Sequence, residues 1–151
     1  MNTQGTLAAA LMVLLSACGQ DSGAGLASEV VIEADSIPAS LTGEAGSMAA
    51  GAAEFVSREG GHCVLCHAIE GLEAEFQGNV GPDLTGVGER LTPGQIRLRI
   101  VDAQRIWPDT VMPAYYRTGG LRQVGQEFDG RPALTAGQIE DLVAYLSSQG
   151  S

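Results

Sequence analysis

The sequence predicts a small all-α domain. Three observations carry that reading. Two segments open with a threonine followed three residues later by glutamine, Thr92-Pro93-Gly94-Gln95 and Thr135-Ala136-Gly137-Gln138. Each reads as a capping box, in which the threonine side chain and the glutamine side chain satisfy each other's free backbone N–H groups at a helix start. The residues that follow are apolar at helical spacing. No segment reads as a convincing strand, and the connections are rich in glycine and proline.

The elements follow in chain order. Residues 1–17 read as a signal peptide. Leu7 to Leu15 is a run of nine apolar residues, which suits an export signal and is too short to span a bilayer. Leu15-Ser16-Ala17-Cys18-Gly19 resembles the bacterial lipobox, which implies lipidation at Cys18 and a lipoprotein anchored to a membrane. An ordinary secretory signal cut after Ala27 is the other reading, and Met1–Thr6 carries no basic residue. Both place the mature protein outside the cytoplasm.

Residues 18–47 consist mainly of Gly, Ser, Ala and acids, which predicts a flexible tether. Residues 18–59 carry a net charge of −6, and residues 60–151 a net charge of −4, so acidity is densest at the start of the mature chain. The predicted domain spans 48–151. A first helix is expected over Met48–Arg58, with Ala52, Phe55 and Val56 as its apolar face. The second begins at the Thr92 cap, has Pro93 at the position where a missing N–H costs nothing, and runs to about Arg105 with Ile96, Ile100 and Ala103 on one stripe. The last runs from the Thr135 cap to about Gln149, with Ile139, Leu142, Val143 and Leu146 at i, i+3, i+4, i+7.

Composition excludes some functions and hints at another. The 151 residues hold 18 acids against 8 bases, all arginine, for a net charge of −10. Nucleic acid is excluded as a partner, because phosphate binding needs clustered positive charge. With 21 glycines and only seven aromatics (three Phe, three Tyr, one Trp), the core calls for something besides side chains to complete it.

Cys63-Val64-Leu65-Cys66-His67 supplies it. C-x-x-C-H is the attachment signature of c-type haem. Thiols three residues apart, on one turn, reach the two vinyl groups of the porphyrin, and the following imidazole points at the iron from the same side. The rivals fare poorly. Zinc needs four ligands in a tetrahedron, and six contiguous residues, His62 to His67, cannot wrap it. A dithiol redox centre needs a βαβ context that is absent. One covalent haem c is therefore expected, on Cys63 and Cys66, with His67 as an axial ligand of the iron.

Elimination selects the other axial ligand. His62 adjoins Cys63 on the proximal side and is expected to face solvent. Met1 and Met12 leave with the signal, and Met48 begins the first helix. Met112 remains, in Val111-Met112-Pro113, where proline stiffens the loop presenting the sulfur. A core methionine is the competing role. A His/Met pair raises the reduction potential and suits electron transfer.

Gly81-Pro82-Asp83-Leu84 follows fourteen residues after His67. With the helices, C-x-x-C-H and the Met loop, it makes residues 48–151 resemble the class I cytochromes c. That resemblance implies their fold, with crossed N- and C-terminal helices around the haem, here through Ala52 and Phe55 against Leu142 and Tyr145. It implies that the Pro82 carbonyl accepts a hydrogen bond from the His67 ring and that Leu84 presses on the porphyrin.

A narrower resemblance covers the second half. Pro108 to Tyr116, Gly120-Leu121, Gly130 to Thr135 and Glu140 to Leu146 are similar to the SoxX family, the monohaem subunits of SoxAX cytochromes of thiosulfate oxidation. Trp107 stands where that family leads one to expect Asn. The resemblance implies a periplasmic location and a heterodimer with a SoxA-like haem subunit. It implies that the haem here accepts electrons from the conjugation of thiosulfate to a cysteine of a SoxY-type carrier and passes them to a downstream cytochrome. The enzyme would be an L-cysteine S-thiosulfotransferase with its catalytic haem on the partner, since this chain has no spare nucleophile. Residues 114–132, with Tyr115 and Tyr116 at the rim of the haem edge, are the expected partner contact. Packing around the Met loop is the other role open to either tyrosine. A stand-alone, membrane-tethered electron carrier is the alternative function.

Overall fold

The computed structural model describes residues 21–22 and 25–150. Residues 1–17, read as the signal peptide, and Cys18, read as the lipidation site, lie outside them. The longer elements are helices: α1 (Met48–Val56), the single turn α2 (Val87–Arg90), α3 (Pro93–Asp102) and α4 (Ala136–Ser147). Short 3-10 turns occupy Cys63–Leu65, Ala103–Arg105 and Gln126–Phe128. The named strands, β1 (Asp21–Ser22) and β2 (Val31–Ile32), form one two-residue antiparallel pair.

Both capping boxes form. The Thr92 side chain accepts from the Gln95 N–H while Gln95 reaches back to the Thr92 N–H, and Thr135 and Gln138 repeat the arrangement. Ser47 caps α1 by accepting from the Ala50 N–H. The helix α1 stops at Val56, two residues before the expected end, because Ser57 turns to extended backbone.

Helices α1 and α4 pack across each other where the sequence predicts. Phe55 and Leu142 are fully buried, and the Phe55 and Tyr145 rings sit 5.7 Å apart at 59°. Gly51 makes the crossing possible: a Cβ there would lie 1.9 Å from the Asp141 carbonyl oxygen, so the two backbones meet where α1 has no side chain. Val56, expected on the buried face, points outward at 36% exposure. On α4, Ile139, Leu142, Val143 and Leu146 are all buried. On α3, Ile96 and Ile100 are buried as expected, as is Ala103 in the 3-10 turn that follows, but so are Leu98, Val101, Arg97 and Asp102. That helix is enclosed on nearly every side, which an apolar stripe alone does not reveal.

The segment 25–47 is not the flexible tether that its composition predicts. Leu26, Ile32 and Ile37 are buried, Ile37 almost completely. The backbone is fastened as well. The Ile37 N–H donates to the Gly94 carbonyl at 3.0 Å and the Ala27 N–H to the Tyr116 carbonyl at 2.9 Å. Arg97 and Glu140 explain how a sparse segment holds. They form a buried, two-point ion pair between α3 and α4, with N···O distances of 2.7 and 2.8 Å. The same guanidinium donates to the Ile37 carbonyl at 2.7 Å, and the same carboxylate accepts from the Leu41 N–H at 2.9 Å. A handful of apolar residues thus suffices, because charged groups from the helices satisfy the backbone between them.

Candidate functional site

The segment 60–84 builds one half of the site. Glu54 accepts from the Gly61 N–H at 2.7 Å, fixing the turn that leads into it. His62 takes left-handed backbone, φ 44°, and is half-buried rather than fully solvent-facing. The chain then winds through the 3-10 turn, with the Cys66 and His67 N–H groups both donating to the Cys63 carbonyl, at 3.0 and 2.9 Å. Cys63 and Cys66 are therefore one turn apart, both free thiols and both half-buried. Burial, reinforced by the nearby Glu54 carboxylate, pushes the Cys63 thiol up to about 12. In the unligated chain it stays a neutral thiol at physiological pH.

His67 is oriented from below. Its Nδ1 lies 2.7 Å from the Pro82 carbonyl oxygen. A carbonyl can only accept, so Nδ1 carries the proton and Nε2 keeps its lone pair for a metal. Gly81 makes room for this contact. A Cβ there would lie 2.4 Å from the ring's Cε1, so only glycine lets the turn pass so close to the imidazole. The turn is held by the Gly81 N–H on the Cys66 carbonyl and the Leu84 N–H on the Ala68 carbonyl, both 2.8 Å. Asp83 accepts from the Thr85 N–H at 2.7 Å, and the hydrogen bonds from Thr85 hold its carboxyl below the usual range. Leu84 is half-buried and packs against the core.

Met112 sits on the other half, in the connection between α3 and α4, and is half-buried. Its N–H donates to the Thr110 hydroxyl at 3.2 Å. Met48, the other methionine among the described residues, is 59% exposed at the start of α1. Tyr115, three residues after Met112, links the halves: its hydroxyl donates to the Gly61 carbonyl at 2.8 Å. Burial, and then the proximity of Cys63, raises its phenol above the usual value.

This placement corrects the expected surface role of the two tyrosines. Tyr116 is buried, 6% exposed, and its hydroxyl bonds the Ser28 hydroxyl at 3.2 Å. Tyr115 turns inward to Gly61. Both rings serve packing, which sequence spacing could not distinguish from a rim position. The exposed apolar residues of 114–132 are instead Val124 and Phe128. Trp107 stands 52% exposed beneath the Arg99 guanidinium, 5.2 Å from its ring centre. Asp102 and Arg117, at the base of the Met112 loop, escaped sequence reasoning: a charged residue in a polar-looking stretch gives no sign of burial.

The donor set fits a covalently held haem: two thiols on one turn, a metal-ready imidazole nitrogen beside them, and the Met112 thioether in a loop tied to the same segment through the Tyr115–Gly61 hydrogen bond. Comparison with known proteins agrees. The family model described as Cytochrome c matches residues 48–150. No curated protein matches the sequence significantly. Among solved structures, a chain of "Crystal structure of SoxXA from P. pantotrophus" superposes with a TM-score of 0.75 and 37% sequence identity, covering 82% of this chain and 96% of that one.

Proposed function

This chain belongs to the cytochrome c family, with the class I fold and a SoxX-like character, and on that premise we propose that it is the monohaem electron-transfer subunit of a SoxAX-like complex. Family membership implies a covalently bound haem c, which supplies one-electron chemistry. The finer assignments are ours. Cys63 and Cys66 hold one haem by thioether bonds, formed by adding S–H across the vinyl groups with nothing released. His67 and Met112 are the axial ligands. The Pro82 carbonyl fixes the His67 ring and raises its basicity, and Leu84 covers the porphyrin.

In this reading the bond-making lies on a SoxA-like partner. A carrier thiol of the SoxY type joins the outer sulfur of thiosulfate, an S–S bond forms, and one proton and two electrons leave. The electrons pass one at a time through this chain to a downstream cytochrome. The chain works in the periplasm, exported by the signal peptide at 1–17 and anchored by lipid on Cys18. It acts as a subunit of an L-cysteine S-thiosulfotransferase without providing its nucleophile.

The observation that carries this reading is the 37% identity sustained over 82% of the chain to a SoxXA chain, with nearly the whole of that chain covered. One observation favours the second reading, a stand-alone tethered carrier. Tyr116 is buried, and Tyr115 is half-buried with its hydroxyl turned to Gly61, which leaves little aromatic surface there for a partner. The test is to purify the tagged protein from its own periplasm. A co-purifying, cysteine-ligated haem protein and thiosulfate-dependent reduction of this haem are expected. A haem protein that purifies alone and is reduced without thiosulfate supports the stand-alone carrier instead.

A further inference from the structure

The residues from Ala103 to Tyr116 leave the end of α3, carry Met112, and return to the same place. What closes this loop is a fully buried carboxylate. Asp102 has no exposed surface, and the Arg117 guanidinium meets it through Nε at 3.0 Å and through Nη2 at 2.6 Å to each oxygen. Arg105 adds an N–H to the same carboxylate at 3.3 Å, and Arg117 also donates to Gln104 at 2.8 Å. The backbone bonds across the base are longer: Tyr115 N–H to the Ile100 carbonyl at 3.3 Å and Tyr116 N–H to the Val101 carbonyl at 3.2 Å. Short charge-assisted bonds are roughly twice as strong as neutral ones, and 3.2–3.3 Å is at the weak end of the N–H···O range. Between the two ends of the loop the ion pair is therefore the strongest tie, while the Tyr115 hydroxyl on Gly61, the Leu134 N–H on the Tyr115 carbonyl and the Ala27 N–H on the Tyr116 carbonyl hold the returning end to other parts of the fold.

We propose that Asp102 is a positioning residue for the axial methionine, its buried carboxylate latching the Met112 loop through Arg117. The inference rests on reading Met112 as the iron ligand. A latched loop presents its sulfur in one geometry and resists displacement. An unlatched loop keeps the same sulfur but releases it readily to a competing ligand. Asp102 touches neither iron nor porphyrin in this account; it acts through the loop.

The experiment titrates the oxidised, haem-loaded protein with imidazole, which competes for the methionine position, and follows loss of the weak red sulfur-to-iron charge-transfer band. Asp102→Asn should bind imidazole about tenfold more tightly than wild type, equivalent to about 1.4 kcal/mol. Glu140→Gln, which weakens the other buried ion pair away from the loop, should lower thermal stability without changing imidazole affinity. Should Asp102→Asn fail to yield haem-loaded protein, Arg117→Lys keeps the charge, removes the two-pronged contact, and should still tighten imidazole binding about threefold. Affinity within twofold of wild type for the variant obtained overturns the latch, and so does an equal gain in Glu140→Gln. Met112→Ala separates the two claims. If it retains the band, the ligand reading falls and the latch with it. If it loses the band while the latch variants bind imidazole like wild type, the latch alone falls.

Discussion

The two halves of the site are built in different ways. The half bearing His67 is assembled from the short segment 60–84. Its thiols share one turn, and its imidazole is held by a carbonyl fifteen residues ahead. The half bearing Met112 draws on distant chain. Tyr115 reaches back 54 residues to Gly61, and Tyr116 reaches 88 residues to Ser28. The difference follows from the chemistry. Two thioethers and an imidazole on one face need a fixed local geometry, which one turn can supply. A single sulfur can come from almost any loop, provided the remainder of the fold holds that loop still.

The comparison breaks most completely at the ligands. His67→Ala should abolish the normal low-spin spectrum while leaving the thioethers chemically possible. Met112→Ala should keep the haem, lose the charge-transfer band and lower the potential. Electronic spectra and a redox titration distinguish the two, and a loss of the band in Met48→Ala instead would reassign the sulfur.

Long-range support can be removed without touching a ligand. Glu140→Ala leaves the Arg97 guanidinium buried with its carboxylate gone and frees the Leu41 N–H. Breaking one side of a buried pair costs about 3–5 kcal/mol. Denaturant unfolding should show that loss; a change below about 1 kcal/mol would mean that the pair and the 25–47 segment contribute little. A smaller loss is expected at the helix crossing. Gly51→Ala places a Cβ 1.9 Å from the Asp141 carbonyl oxygen, and such overpacking costs about 1–3 kcal/mol. An unchanged melting temperature would contradict the close approach of α1 and α4. The smallest effect lies at the caps. Thr135→Ala should cost about 1 kcal/mol, by loss of the bond to the Gln138 N–H, without altering the haem spectrum.

These differences also explain what could be read from the sequence. The single turn that brings Cys63, Cys66 and His67 together was legible because the three lie at fixed offsets, the His67–Pro82 contact through the resemblance to class I cytochromes c, and the Thr92 and Thr135 caps because a capping box is a four-residue pattern. Apolar spacing made the buried face of α4 legible, and the resemblance to class I cytochromes c its crossing with α1, but the dependence of that crossing on Gly51 was not legible, since a glycine in a helix looks like a defect until its neighbour is known. The ordering of the 25–47 segment is not visible in its composition, because its few apolar residues are held by Arg97 and Glu140, which lie far along the chain. Asp102 and Arg117 were invisible for the same reason: burial of a charge is a property of its partner. Tyr115 and Tyr116 show the limit most plainly, since adjacency to Met112 placed them near the site without saying which way they face.

The most direct test of the central claim is the intact mass of the exported protein after denaturation, measured for wild type and for Cys63→Ser/Cys66→Ser. The account predicts that wild type retains the mass of one haem beyond its polypeptide and that the double variant retains none. Wild-type protein that sheds its haem on denaturation, or a double variant that keeps it, would contradict covalent attachment at Cys63 and Cys66.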